Sequence, residues 1–258
     1  MDIKQPCYLF FDYDNTVLVD NKIADETNLA MEYARSLGHK LILCTGRSRG
    51  HLSRIPELST IPWDGMIFGG ADIFYNTFCL EEHISPRKDL LQWVKYSMRH
   101  RYRLILEGQY NLNDFRFENH PQPYTWQEKR ELFQYIKQLT RTNPITKFSI
   151  FGANLDLSDC PKTRMNYVVH PHYVEGFAPG CDKGVAIQHF CKHLNVSLEQ
   201  CVAFGDSMND APMFRICPTS VSMSYAPEEL VALSTYHAKE KLGVAEGIEY
   251  LFGNRKDV

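Results

Sequence analysis

Short apolar runs alternate with amphipathic stretches over much of this chain. Tyr8-Leu9-Phe10-Phe11 is too short for a helix and rich in aromatic residues, which predicts a buried strand. Leu41–Cys44, Cys201–Phe204, Trp63–Phe68 and Ser220–Met223 have the same character. Between these runs the period changes. Ala30, Tyr33, Ala34 and Leu37 fall on one helical face that stops at Gly38, and Ile187, Phe190, Cys191 and Leu194 fall on another that opens at Lys183-Gly184. Gly247–Phe252 reads as a short closing helix. Strands alternating with helices predict a parallel, doubly wound α/β sheet.

The stretch from about 81 to 180 differs. Leu90, Leu91, Val94 and Met98 form one helical stripe, and Leu132, Phe133, Ile136 and Leu139 form a second. Each precedes a strand-like run, Arg103–Leu106 and Lys147–Ile150, and extended segments are expected around 154–158 and 166–174. The pattern predicts an α+β unit inserted into the first. Residues 1–80 and 181–258 would form the core domain and 81–180 the insertion, with linkers near 80 and 180 able to act as hinges.

The chemistry-bearing residues gather where predicted strands end. The first strand runs into Asp12-Tyr13-Asp14-Asn15-Thr16, the second into Thr45-Gly46-Arg47, and a later one into Gly205-Asp206-Ser207-Met208-Asn209-Asp210. Ligands of parallel sheets bind beyond the carboxyl ends of the strands. Two acids there can hold a divalent cation, or one can attack while its neighbour handles protons. An Asp-rich turn is the plainer reading of the first segment alone.

Taken in order, the strand-end Asp pair, strand-end Thr, helix-start Lys and strand-end acidic pair resemble the haloacid dehalogenase-like phosphatase superfamily, over nearly the whole chain. The resemblance is closest to the Cof-type branch, in which a class IIB cap is inserted between the Thr and Lys motifs. It implies a Rossmann-like core with an inserted α+β cap, and a Mg²⁺-dependent phosphatase acting on small phosphomonoesters such as sugar phosphates. Asp12 would be the nucleophile that becomes an aspartyl phosphate, and Asp14 the acid that protonates the leaving group and later activates water. Lys183 would neutralise charge on the nucleophile and the transferred group. Thr45, Gly46, Arg47 and Asn209 would bind phosphate or substrate. Asp12, Asp206 and the Asp14 carbonyl would hold Mg²⁺, and Asp210 would support Lys183 or its loop; as a lone acid at a helix start it would instead meet the macrodipole. The resemblance also implies a cap that closes over substrate.

Two positions depart from the branch: Asn15 replaces a common Gly, and Gly69-Gly70-Ala71 replaces Asn-Gly-Ala. Asn tolerates turn geometry. The loss of an Asn at position 69 removes a donor near the site. Arg47, Arg49 and Arg54, which follow the Thr motif, could bind a second anionic group of substrate or form a solvated face. Glu107, Tyr110, Arg116 and Tyr124 are candidates for substrate selection. His170-Pro171-His172 has too few partners for a metal site.

Composition narrows the field further. A formal charge of -3 with no basic block gives no electrostatic case for nucleic acid. No apolar run approaches the ~18 residues of a membrane span, and the first residues show no apolar leader segment. The eight cysteines contain no C-x-x-C pair, which argues against a disulfide framework or zinc site and for a reducing cytoplasm. Two alternatives stay open: a phosphomutase of the phosphomannomutase type, which returns the phosphoryl group to a sugar, and a silent metabolite-binding module.

Overall fold

The computed structural model describes residues 5–52, 58, 60–120, 122–170 and 172–253. Contacts divide the chain into two units: Met1–Gly46, Ile55–Glu82 and Asp182–Val258 form one, and Arg47–Arg54 with His83–Cys181 form the other.

The first unit is built on an eight-stranded sheet. Its strands are β1 (Tyr8–Phe11), β2 (Lys40–Thr45), β3 (Gly65–Phe68), β4 (Asp72–Tyr75), β5 (Phe78–Glu82), β11 (Cys201–Gly205), β12 (Thr219–Ser222) and β13 (Tyr236–His237), in the order β13-β12-β11-β1-β2-β3-β4-β5. Pairing is parallel from β13 to β3, and β4 and β5 join antiparallel as a hairpin. The parallel part is buried on both faces, which is why its strands read as continuous apolar runs. One face packs Phe10, Ile42, Ile67 and Ala203 against Ile187, Phe190 and Cys191 of α5 (Lys183–Leu194). The Phe10 and Phe190 rings meet edge to face at 5.4 Å. After the short helices α6 (Ala211–Ile216) and α7 (Glu228–Val231), helix α8 (Gly243–Phe252) sets Gly247 against Val221 and Phe204, and packs beside α1 (Asp25–Ser36).

The predicted strands and α5 are present, and α8 begins four residues earlier than expected. Helix α1 turns differently from the expected stripe. Its buried row is Thr27, Met31 and Ala34, while Tyr33 and Leu37 are exposed. Leu37 is the C-cap rather than a core position, and the Tyr33 hydroxyl donates to the Phe252 carbonyl (3.1 Å). The β4–β5 hairpin, turning at Asn76 with φ 52°, was not anticipated from the pattern.

The second unit carries a five-stranded antiparallel sheet in the order β7-β6-β8-β10-β9: β6 (Arg103–Gly108), β7 (Leu112–Arg116), β8 (Ile145–Phe151), β9 (Asn166–Val169) and β10 (Tyr173–Phe177). Helices α3 (Arg87–His100) and α4 (Trp126–Thr142) pack on it through Trp93, Val94, Ile136, Leu104, Phe148 and Ile150. A capping box between Thr125 and Glu128 starts α4. The short helix α2 (Arg49–Leu52) belongs to this unit; a Cβ at Gly50 would meet the Gly108 carbonyl at 2.5 Å, so the chain passes there only without a side chain. Residues 154–158, expected to be extended, join neither sheet, and turns at 153–154 and 158–159 flank the segment. Asp156 accepts a bond from the Ser158 amide (2.9 Å), the local self-bonding that draws Asp and Ser out of strands. The polar run of β7 gave no strand signal, and it holds its place as a sheet edge through Phe115.

Candidate active site

Strand order fixes the position of the site. β11, β1 and β2 are adjacent and parallel, and β1 is the point at which the chain's winding reverses. Their carboxyl ends therefore bring Asp206, Asp12 and Thr45 to one edge. The Asp12 amide donates to the Phe204 carbonyl (2.9 Å), extending the ladder one step past β1. The chain then turns sharply: the Tyr13 carbonyl accepts from the amides of Val17 (3.1 Å) and Leu18 (2.8 Å), and Asn15 takes φ 57°. That left-handed conformation suits Asn, which accounts for the departure from Gly.

Helix α5 supplies the cation. Asp182 caps it by accepting from the Val185 amide (2.8 Å), leaving Lys183 as the first helical residue. The Lys183 ammonium donates to Asp12 Oδ1 (2.6 Å) and Asp210 Oδ1 (2.5 Å), with Asn209 Oδ1 at 3.5 Å. The other oxygen of Asp210 accepts from the amides of Asp206 (2.9 Å) and Ser207 (3.0 Å). Asp210 thus positions Lys183 and shapes the loop, and its contacts saturate it. Thr16 donates to Asp206 Oδ1 (3.1 Å), and Ser207 donates to Asn209 Oδ1 (2.9 Å). Thr45 is fully buried, and a Cβ at Gly46 would lie 3.6 Å from the Asn209 amide nitrogen.

Three glycines explain why the motifs have their form. A Cβ at Gly205 would come within 2.5 Å of the Asp210 carboxylate, and one at Gly184 within 2.7 Å of the Pro212 carbonyl. Gly70, at φ 66°, would meet the Asp182 backbone at 2.8 Å. Glycine at these places lets α5 and the Asp206–Asp210 loop close around Lys183.

The charges do not balance. Asp12, Asp206 and Asp210 have carboxylate oxygens within 4.8 Å of one another, against one ammonium. Asp12 is 4% exposed; burial, helped by the charges of Asp210 and Asp206, raises its pKa well above the usual carboxylate range despite Lys183. Burial and Asp210 push Asp206 up to about 6. Burial would lower Lys183, but Asp12 and Asp210 outweigh it and raise its pKa. An all-oxygen donor set with surplus negative charge fits a hard divalent cation.

Residues not singled out from sequence also bear on the site. Thr16 fixes Asp206, and the Tyr225 hydroxyl donates to the Asn15 carbonyl. Tyr225 lies in an exposed loop with no motif around it, so only folding reveals it. Arg47 groups with the second unit. There Arg49 donates to the Gln109 carbonyl (3.2 Å) and lies over the Tyr110 ring, while Arg54 lies outside the described residues. Glu107 is buried with Lys147, Arg116 pairs with Asp114 (3.0 Å), and Tyr124 stacks on His120. His170 stacks on Tyr173 and faces Glu175 at 3.4 Å.

Comparison with known proteins identifies relatives of the chain. The family model described as haloacid dehalogenase-like hydrolase matches residues 9–248. The HMP-PP phosphatase of Cronobacter sakazakii is 39% identical over 59 residues, 23% of this chain and 22% of that protein. A putative phosphatase of Streptococcus pyogenes is 24% identical over 92% of this chain and 95% of its own. The chloroplastic endoribonuclease YBEY of Arabidopsis thaliana is 25% identical over 93% of this chain, which spans 46% of that protein. Among solved structures, the phosphatase BT1666 from Bacteroides thetaiotaomicron superposes with a TM-score of 0.79 at 18% identity, covering 96% of each chain. The subclass IIB sugar phosphatase BT4131 superposes at 0.74 and 20% identity, covering 95% of this chain and 98% of its own. At these identities the superpositions establish the shared fold.

Proposed function

The chain belongs to the haloacid dehalogenase-like hydrolase family, and from that premise we propose that it is a Mg²⁺-dependent phosphatase of small phosphorylated metabolites. The observation that carries this reading is Lys183, buried and shared between Asp12 and Asp210 at the carboxyl ends of three adjacent parallel strands. The relatives with phosphatase names, from Cronobacter sakazakii and Streptococcus pyogenes, support the reaction class. Sugar phosphate-like monoesters are the proposed substrates, and residues 81–180 the proposed substrate-specificity domain. The all-thiol state of the eight cysteines suits a cytoplasmic enzyme.

In the proposed reaction an Asp12 carboxylate oxygen attacks phosphorus while the bond to the leaving oxygen breaks. Asp14 gives that oxygen its proton. A water molecule, deprotonated by Asp14, then attacks phosphorus, the acyl-phosphate bond breaks, and Asp12 and inorganic phosphate are released. Lys183 orients Asp12 and offsets charge on the transferred group throughout, and its contact with Asp210 keeps it from moving. Thr45, Gly46 and Asn209 would hold phosphoryl oxygens, with Arg47 on the substrate. Asp12, Asp206 and the Asp14 carbonyl would hold Mg²⁺, which when bound supplies charge neutralisation at the phosphoryl group.

The test is phosphate release from a panel of sugar, nucleotide and cofactor monophosphates, with Mg²⁺ and with chelator, using Asp12→Asn as the blank. Metal-dependent turnover on a related set of monoesters is expected. A folded protein that releases phosphate from none of them, or an Asp12→Asn variant that keeps full activity, would overturn the proposal.

A further inference from the structure

The second unit has a groove that the proposed reaction does not use. It runs between α3 and α4 and encloses about 560 Å³. Helix α3 lines it with Lys95, Met98 and Arg99, and α4 with Trp126, Lys129, Arg130 and Phe133. Both sets keep the i, i+3, i+4 spacing of one helix face. The floor is apolar: Met98 is buried in the core of the unit, and Phe133 packs half-buried against that core. Trp126, the first residue of α4 after its capping box, continues this surface and is 74% exposed. The rim carries one sign of charge. Four of the seven lining residues are cations and none is an acid, on a chain whose formal charge is -3. Arg99 pairs with Asp159, whereas Lys95, Lys129 and Arg130 have no carboxylate partner among the described residues. The acids in the first turns of α4 are engaged elsewhere: Glu128 accepts from the Thr125 amide (2.7 Å) and Glu131 from the Gln127 side chain (2.9 Å). Lys95 instead lies over the Phe133 ring at 5.0 Å, and Arg130 over the Trp126 ring at 5.4 Å. Such contacts set a cation beside apolar surface without using its hydrogen-bond donors.

We propose that this groove binds an amphipathic carboxylate, with an alkyl chain along Met98, Phe133 and Trp126 and the head group on Lys95, Lys129 and Arg130. The volume falls within the ~300–1,000 Å³ of small-ligand sites, which pair an apolar lining with a few placed polar groups. A hydrophilic anion would leave the floor in water, and a neutral alkyl chain would leave the cations unpaired. A chain with a charged head meets both needs at once. Its shape also fits, because a single chain lies along a groove between two helices, where a flat bilayer surface would span it. None of these residues belongs to the acidic cluster around Asp12, so this is an additional site with its own ligand chemistry.

The test titrates the full chain by calorimetry with octanoate and decanoate, kept below micelle-forming concentrations, and with octanol. Decanoate is expected to bind saturably at one equivalent. Each added methylene should tighten binding by about two- to fourfold, the range from half to full burial of a CH₂ group. Octanol, which lacks the charge, should bind at least about fivefold more weakly than octanoate. Lys129→Gln/Arg130→Gln should weaken decanoate by about tenfold and keep the dependence on chain length. Trp126→Ala should weaken it too, and should flatten that dependence. Both variants change exposed side chains, so melting temperature and phosphate release should match the wild type. No saturable decanoate binding, an affinity indifferent to chain length, or binding unchanged in both variants would each overturn the proposal. So would binding to vesicles of phosphatidylserine and phosphatidylcholine by a chain that ignores monomeric decanoate, which would make the face a membrane contact. Binding is read directly, so the result is independent of phosphatase activity.

Discussion

Each unit buries a lysine between two carboxylates, and the two clusters behave oppositely. In the second unit Lys147 lies 2.6 Å from Glu175 and 3.8 Å from Glu107, and the His51 and His170 imidazoles face the same carboxylates. Burial would raise Glu107, yet Lys147 and hydrogen bonds from His51 and Ser48 win, holding it down to about 2. In the first unit Asp206 adds a third carboxylate to the pair that holds Lys183, and the one ammonium does not offset them: Asp12 stays raised and Asp206 sits at about 6. A matched cluster stabilises its own fold. A cluster overloaded with negative charge is a place built to receive positive charge, which is what a metal ion brings.

The sharpest way to break this contrast is to neutralise one acid in each cluster. Asp12→Asn is expected to lower phosphate release by at least ~10³-fold, because it removes the proposed nucleophile. It should leave the melting temperature equal or higher, since it relieves repulsion among buried carboxylates. Glu107→Gln should do the reverse, keeping turnover within a few-fold while costing about 2–3 kcal/mol in chemical denaturation. A fall in stability for Asp12→Asn matching that of Glu107→Gln would mean that the two clusters do the same structural job.

Acid titration sharpens the comparison at a smaller scale. The folded pKa of Glu107, about 2, lies below its ordinary value of 4.5, so the folded state favours the ionised form. Its contribution is complete above the ordinary value and disappears as pH falls from there through about 2. The shift corresponds to ~3 kcal/mol at most, given coupling to Lys147. Stability against denaturant, measured from pH 5 to pH 2, should fall steeply in the wild type, and the Glu107→Gln variant should lack that portion of the slope. Parallel curves would remove Glu107 as the source.

Legibility in the sequence followed the length scale of the interaction. β1, β2, β11 and α5 were readable because apolar runs and helical period are local, and α5 matched its expected bounds, 183–194. β7 was not, because Leu-Asn-Asp-Phe-Arg carries no alternating signal and owes its strand to the neighbouring β6. The segment 154–158 departs from the strand pattern for a related reason: Leu155 and Leu157 carry an alternating apolar signal, while the intervening Asp156 bonds its own loop. At the candidate site the motif order pointed to the acids and Lys183. It did not show that Thr16 holds Asp206 or that Gly205 is small because Asp210 folds against it. The first depends on strand ends far apart in the chain, and the second on how the 205–210 loop folds back on itself.

The smallest expected effect distinguishes the clusters without a mutation. If surplus negative charge at Asp12 and Asp206 is what separates the first unit from the second, adding Mg²⁺ should stabilise only the first. At ten times the dissociation constant the gain is about 1.4 kcal/mol for an ion that binds the folded state alone. Amide hydrogen exchange can read the units separately. Protection should rise at the segments 12–18 and 205–210, whose amides are tied to Tyr13, Ser207 and Asp210, and stay level in β6 and β8 around Glu107 and Lys147. Asp206→Asn should erase the rise. A uniform rise across both units would mean that the cation acts by general screening, and the overloaded cluster would lose its claim to be a metal site.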